Sequence, residues 1–167
     1  MIVGPSQLNH LIEMHGLVGP YEGDRVTHDS IDLRIGALFK HNGGARLMAD
    51  KEQMSVGEMT EMIPEIGIWT LAEPGFYLAR TIEEVNVPPN MAAVAMGRST
   101  LFRAGIITST GYVDPGYQGK IHFGFRTYEA PTKIEYGFRM IQLVFATAEL
   151  VAPYNGNYQG GKIRPTN

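Results

Sequence analysis

The sequence predicts an all-β sandwich or barrel with one short helix at its N-terminal end, and three observations carry that prediction. Glycine (20) and proline (10) together exceed one residue in six of the 167 and recur at short intervals, which suits short strands joined by turns. The one good helical stripe lies near the start. From residue 66 onward, apolar segments of strand length alternate with turn signals.

The helix is expected from Ser6, a capping residue, to Gly16, a stop signal. Leu8, Leu11 and Ile12 fall at i, i+3 and i+4 between them. Ile31 to Ile35 alternates apolar and polar residues with the period of a half-buried strand. Asn42-Gly43 follows and favours a tight hairpin. Residues 52–65 are rich in methionine and glutamate. Met54, Met59 and Met62 suggest a stripe, but Gly57 and Pro64 interrupt it, so an irregular or short strand-containing insertion is expected. Strands are then expected over 66–72, 76–81, 92–96, 106–109, 120–126 and 140–148. Pro74-Gly75, Pro88-Pro89, Pro115-Gly116 and Gly137 separate them. No internal repeat of fixed period is present, and the chain reads as one domain, 1–167, with 155–167 a mobile C-terminal lid segment lacking an apolar face.

Composition removes several functions. Cysteine is absent, so disulfides, thiol nucleophiles and thiolate metal sites are excluded, and with them the zinc-dependent cytidine-type deaminases. A net charge of −3 argues against general nucleic-acid binding. No apolar stretch reaches membrane-span length and the start of the chain lacks signal-peptide regions, so a cytoplasmic protein without membrane or nucleic-acid partners is expected.

Three glycine-flanked polar clusters interrupt the strand pattern. Gly97 to Arg103 packs Arg98, Ser99 and Thr100 beside a flexible backbone, with Arg103 three residues on. Forked guanidinium donors and hydroxyls are what phosphate oxygens require, yet a solvated turn explains the same residues equally well. In Gly111 to Gly119, Asp114 lies between Tyr112 and Tyr117. A carboxylate there suits orienting a water or accepting a sugar hydroxyl, but turn chemistry alone favours an aspartate-capped Pro-Gly turn. In Gly137 to Phe145, Gln142 stands among large apolar neighbours, either as a buried amide fixing a loop or ligand or as an outward residue of an edge strand. The five histidines show no metal-ligand spacing and are expected to be surface or partly buried structural residues, while Trp69 and Tyr77 are expected in the core or an interface.

In order, these clusters resemble the motifs of the trimeric dUTPase / dCTP deaminase superfamily. Gly97-Arg98-Ser99-Thr100-Leu101 resembles its phosphate-binding motif. Gly111-Tyr112-Val113-Asp114 through Tyr117-Gln118-Gly119 resembles its pyrimidine hairpin and aspartate motif, and Gly137 to Val144 resembles the strand that follows. Ser30 to Gly36, Pro74 to Thr81 with Glu83, and the closing Pro153-Tyr154-Asn155 and Tyr158-Gln159-Gly160-Gly161 extend the likeness. The methionine-rich insertion is unmatched.

The resemblance implies a distorted jelly-roll-like β-barrel and a homotrimer whose sites are shared between subunits. It also implies a deoxyribonucleoside triphosphate bound with Mg²⁺, the metal held mainly by the triphosphate and water. Arg98, Ser99 and Thr100 would meet phosphate oxygens, with Arg103 nearby. Gln118 and Gln142 would donate to phosphates or position water. Gly111 and Tyr112 would form the base hairpin, Tyr117 would pack on the deoxyribose, and Tyr154, Tyr158 and Gln159 would close over the ligand.

The superfamily performs two reactions. Its deaminases use a glutamate on the strand after the aspartate motif as proton shuttle, and in this chain that position is Gly124. Losing an acid/base group costs ~10²–10⁴-fold. The expected activity is therefore hydrolysis of dUTP to dUMP and pyrophosphate, with Asp114 orienting or activating the water and Arg98 relieving charge. Arg103, the helix and the Tyr-Gln-Gly tail resemble the deaminase branch, so dCTP deaminase or a bifunctional enzyme is the alternative. Phe102 and Asn157 depart from the family pattern and motivate a third reading, a non-catalytic nucleotide-binding regulatory trimer.

Overall fold

The computed structural model describes residues 1–20, 26–50, 53–109, 111–150 and 152–163. Helix α1 (Pro5–His15) precedes the strands β1 (Val18–Gly19), β2 (Val26–Thr27), β3 (Ser30–His41), β4 (Met59–Met62) and β5 (Ile68–Leu71). Strands β6 (Gly75–Asn86) and β7 (Met91–Gly97) lead to a short helix α2 (Ser99–Arg103). Strands β8 (Ile106–Ser109), β9 (Tyr112–Val113), β10 (Gln118–Thr127), β11 (Thr132–Glu135) and β12 (Arg139–Thr147) complete the fold.

The main sheet runs β8-β10-β6-β3-β12-β7-β9 with antiparallel neighbours, and β1, β2 and β4 add to its flanks. It curls on itself into the distorted jelly-roll-like barrel expected from the sequence. β5 and β11 form a separate two-stranded ribbon. The core lies inside the curl, where Ile31, Leu33, Phe125, Phe145, Met140 and Leu143 are almost wholly buried. Leu8 and Ile12 of α1 pack into this core.

β3 is the seam of the curl. Its first half pairs with β12, from Ser30↔Val144 to Arg34↔Arg139, and its second half pairs with β6, from Ile35↔Thr81 to Lys40↔Tyr77. A register shift between Ile35 and Ala37 marks the handover. There the Arg34 N–H donates to Glu83 Oε2 at 2.8 Å, and the Arg34 guanidinium Nε donates to Oε1 at 2.7 Å. Glu83 is fully buried, so one carboxylate satisfies main chain and side chain together.

Local chemistry explains the departures from expectation. Helix α1 starts with Gly4 as its cap and Pro5 in the first turn, not with Ser6, because proline's fixed φ suits that turn and gives up no needed N–H. Gly16, left-handed at φ 59°, ends it as expected. The strand at Ile31 is not half-exposed: Asp32 is buried on the polar face, covered by an ionic cluster instead of water. Asn42-Gly43 does not make a tight hairpin. The chain leaves β3 at His41 and rejoins it at Met59, with Arg46 and Ser55 bridging the excursion. Trp69 and Tyr77 are core residues, their polar tips donating to the carbonyls of Met62 and Glu73.

The Glu83 bridge makes a direct prediction. Glu83→Ala strips the partner from a largely buried guanidinium and a strand N–H and should cost about 3 kcal/mol in urea unfolding at fixed protein concentration. Glu83→Gln keeps an acceptor and should cost clearly less; equal losses in the two variants would show that the acceptor does not matter.

Candidate active site

The site begins with a turn. Val94↔Tyr112 and Ala93↔Val113 anchor β9 on β7, and the chain then reverses through Asp114 to Tyr117. Main-chain bonds close that reversal: Tyr117 N donates to Asp114 O at 3.1 Å and Gly116 N to Val87 O at 3.0 Å. The Asp114 side chain caps nothing. Half-buried, it makes no hydrogen bond or ion pair among the described residues, so the aspartate-capped turn favoured by turn chemistry is not formed.

Asp114 faces a cavity of about 490 Å³. Gly111, Tyr112, Val113 and Tyr117 of the hairpin line it, with Tyr154, Tyr158, Lys162 and Ile163 from the C-terminal segment. Phe76 and Leu78 of β6 and Ile121, His122 and Phe123 of β10 form a mostly apolar wall. The insertion adds Val56 and Met59. Tyr117 is nearly buried, its hydroxyl donates to Lys120 O at 2.7 Å, and Tyr154 lies 6.0 Å away, ring to ring. Burial, then the neighbouring Tyr154, pushes the Tyr117 hydroxyl up to about 12, so Tyr117 offers a neutral aromatic face.

On the β6–β10 wall, Gly124 is opposite Leu78 and His122 opposite Arg80. A Cβ on Gly124 would lie 2.5 Å from Cζ of Phe76, so the aromatic ring fills the space that a side chain there would need. The ring is braced edge-on by His41 at 6.2 Å. His41 in turn is fixed to the insertion, with Nε2 2.9 Å from Val56 O and Nδ1 accepting the Gly43 N–H at 3.0 Å.

His122 lines the same cavity next to a β-bulge. The β6–β10 register shifts between Lys120 and His122, and the freed Ile121 N–H donates to Thr81 Oγ1 at 3.0 Å. Its Nε2 is buried with no hydrogen-bond partner among the described residues. Burial, first, and the Arg80 guanidinium, second, push the imidazole down to about 4, so it is neutral at physiological pH. Sequence reasoning treated His122 as structural because it tested histidines only for metal spacing. The usable signal was its place two residues before Gly124, hence on the same sheet face.

The C-terminal segment folds onto the hairpin of its own chain. Gln159 Oε1 accepts the Gln118 N–H at 2.9 Å, and Gln159 Nε2 donates to the carbonyls of Gly116 and Tyr154 at 3.0 and 3.1 Å. Gly160 N donates to Gln118 O at 2.8 Å. Gly119, at φ 134°, allows the Gly161 backbone to lie where a Cβ would otherwise collide. Polar groups of this segment thus find partners in the chain itself. Residues 164–167 lie outside the described residues.

The phosphate-type cluster opens elsewhere. Ser99 to Arg103 form α2, where a turn was expected. Arg98 Nε is 3.3 Å from Asp32 Oδ2, which Arg139 approaches at 3.8 Å. With Arg34, these arginines line a second cavity of about 580 Å³. Ser99 and Thr100 are exposed, and Arg103 Nη1 donates to Ser99 O while its guanidinium lies over the Phe102 ring. Gln142 is half-buried, in register between Asp32 and Met96. Within one chain, then, the Asp114 cavity gathers Gly111, Tyr112, Tyr117, Tyr154 and Tyr158, but not Arg98, Ser99, Thr100, Arg103, Gln118, Gln142 or Gln159. Among the described residues no group of three or more His, Cys, Asp or Glu could hold a metal, and no helix is long and apolar enough to cross a membrane.

Residues 2–148 match the model of a family described as dCTP deaminase-like. A protein of Aquifex aeolicus named "dCTP deaminase, dUMP-forming" is 33% identical, covering 97% of this chain and 91% of its own. A "probable deoxyuridine 5'-triphosphate nucleotidohydrolase" of Methanopyrus kandleri is also 33% identical, over 81% of this chain and 88% of its own. A "dCTP deaminase" of Thermococcus gammatolerans is 30% identical, over 90% and 88%. Among solved structures, 2'-deoxycytidine 5'-triphosphate deaminase from Agrobacterium tumefaciens superposes with a TM-score of 0.66 at 20% identity. It covers 86% of this chain, which spans about half (47%) of that longer one.

The buried His122 has a signature in stability. An unfolded histidine takes up a proton near pH 6.5, whereas the native one does so only near 4. The unfolded chain therefore binds more protons between those values, and stability falls as pH drops through that window. His122→Gln should flatten this part of the curve when urea midpoints at pH 7 and pH 5 are compared; an unchanged slope would contradict the assignment.

Proposed function

This chain belongs to the dCTP deaminase-like family, and we propose that within it the chain hydrolyses dUTP to dUMP and pyrophosphate. The observation that carries this reading is Gly124 beside the Phe76 ring, where the resemblance puts the deaminases' glutamate, together with an Asp114 carboxylate that has no partner among the described residues.

In this reading the pyrimidine enters the cavity against the β6–β10 wall and Tyr117 carries the deoxyribose. Asp114 holds a water by hydrogen bond and takes its proton as the water oxygen attacks the α-phosphorus. The bond from that phosphorus to the α–β bridging oxygen breaks, and pyrophosphate leaves. Mg²⁺ would arrive ligated by phosphate oxygens and water, as a hard cation that keeps several waters does. When bound, it neutralises phosphate charge.

The phosphate donors come from a second copy of the chain. Arg98 lines a different cavity from Asp114, and the exposed Ser99 and Thr100 line neither, so a homotrimer with shared sites would bring one chain's donors to its neighbour's aspartate. Asp32 holds Arg98 ready for that role at 3.3 Å.

A second reading has its own support. The relatives named as dCTP deaminases favour deamination, alone or followed by hydrolysis, more than the single activity proposed here. Product analysis separates the two. With dUTP, pyrophosphate and dUMP are expected; with dCTP, no ammonia. Ammonia from dCTP would make the chain a deaminase, and dUMP formed from dCTP would make it bifunctional. Nucleotide binding without turnover would leave a regulatory trimer.

Asp114→Asn should abolish pyrophosphate release without loss of fold by circular dichroism. Mixing and co-refolding inactive Asp114→Asn and Arg98→Ala chains in equal amounts should restore about a quarter of wild-type activity, since one site in four then combines an intact aspartate with an intact arginine. A mixture as inactive as its parents would refute shared sites.

A further inference from the structure

The polar groups around the Asp114 cavity are mostly committed or placed away from its apolar wall. Both ring nitrogens of His41 are engaged by Val56 and Gly43, the Tyr117 hydroxyl by Lys120, and the Tyr154 hydroxyl lies 3.4 Å from the Tyr158 N–H. His122 differs. It stands among Phe76, Leu78, Ile121 and Phe123, with a buried Nε2 that has no partner among the described residues. An unsatisfied buried nitrogen costs about 1–3 kcal/mol, and a ligand that reaches it recovers that cost. An apolar slot with one unmet polar atom fits the edge of a planar heterocycle.

Arg80 gives the slot a sign. It lies behind the cavity wall, opposite His122 in the β6–β10 register with its guanidinium 5.7 Å from the Phe39 ring centre, and it can only donate; its own buried Nε has no partner among the described residues. An amino group placed beside this pair meets positive charge and donors, whereas a carbonyl oxygen meets what it needs. We propose that His122 is the specificity-determining residue for the base: its Nε2–H donates to a carbonyl oxygen on the pyrimidine edge, so that a 4-keto base is taken in preference to a 4-amino base. This rests on the cavity being the pyrimidine site. Its neutral imidazole fits the role, because a single donor on an uncharged ring reads an oxygen without bringing a second charge into the slot.

The probes are the α,β-imido analogues of dUTP and dCTP with Mg²⁺, titrated by calorimetry into the full chain. The wild type should bind the uracil analogue at least about tenfold more tightly, as one buried hydrogen bond requires. His122→Val should lose about tenfold for the uracil analogue while the cytosine analogue moves less than threefold. His122→Gln, which can still donate, should keep most of the preference. Parallel weakening of both analogues, or no change in either, overturns the proposal while leaving the hydrolase reading intact. A wild type that binds neither analogue overturns both. Should the valine variant fail to fold, nitrogen-15 resonances of the wild-type imidazole decide the matter. His122 Nε2 should shift with the uracil analogue and not with the cytosine analogue, and an unmoved or equally moved signal defeats the assignment.

Discussion

A sheet that curls must change partners somewhere, and at that point a backbone N–H is left without a ladder acceptor. In this chain the change occurs on β3 between Arg34 and Ala37, and the fully buried Glu83 takes up both the stranded N–H and the guanidinium of Arg34. The arrangement is economical in charge. One carboxylate is balanced by one guanidinium, and Thr81 donates to Glu83 O while accepting from Ile121, which ties the bulge on β10 to the same junction. The bend of the barrel and the offset that sets His122 on the cavity wall are thus consequences of one connected polar cluster.

The same strand carries the second buried carboxylate. Asp32, two residues before Arg34, lies between Arg98 and Arg139 and holds the arginine motif to the sheet from below. Arg98, Arg139 and Arg34 line one cavity together with Glu135, and the buried Asp32 and Glu83 offset part of their charge while leaving the guanidinium forks partly exposed there. The Asp114 hairpin is built on the opposite logic: its turn is closed by main-chain bonds, so the carboxylate is left uncommitted. One arrangement places cations where phosphate can reach them, and the other places an acid where water can.

How much of this was legible follows from what each element needs. β6, β7, β10 and β12 were readable because apolar residues recur through each between glycine or proline turns, although β6 runs on to Asn86, past the expected end at 81, through the polar Glu83 and Glu84. β1, β2 and β9, of two residues each, are defined by pairing alone and leave no period to detect. Helix α2 was missed because Ser99 to Arg103 holds a single buried residue, Leu101, which makes no stripe. Asn42-Gly43 has the composition of a hairpin turn, but the chain needed a longer excursion to reach the Met59 register. In the site, Asp114 and the tyrosines were legible through their motif. His122 and Phe76 were not, because their roles arise from cross-strand register, which a linear pattern does not contain.

That register also shows why family membership leaves the reaction open. In the reading proposed here the scaffold receives a pyrimidine, a sugar and a polyphosphate, and those demands are the same whether the amino group or the phosphate chain is attacked. That reading puts the difference between the two outcomes at position 124, where a carboxylate would sit near the base. In this chain the Phe76 ring fills that space, beside a histidine hydrogen-bonded to the methionine-rich segment, which the sequence left unmatched but which lies inside the family match over residues 2–148. An acid at 124 would meet the outer end of the Phe76 ring, which is itself about half exposed and can turn aside, so the ring restricts a carboxylate there without forbidding it. The wall of this chain and the names of relatives a third identical to it therefore point to different reactions, and the products formed from dUTP and dCTP separate them.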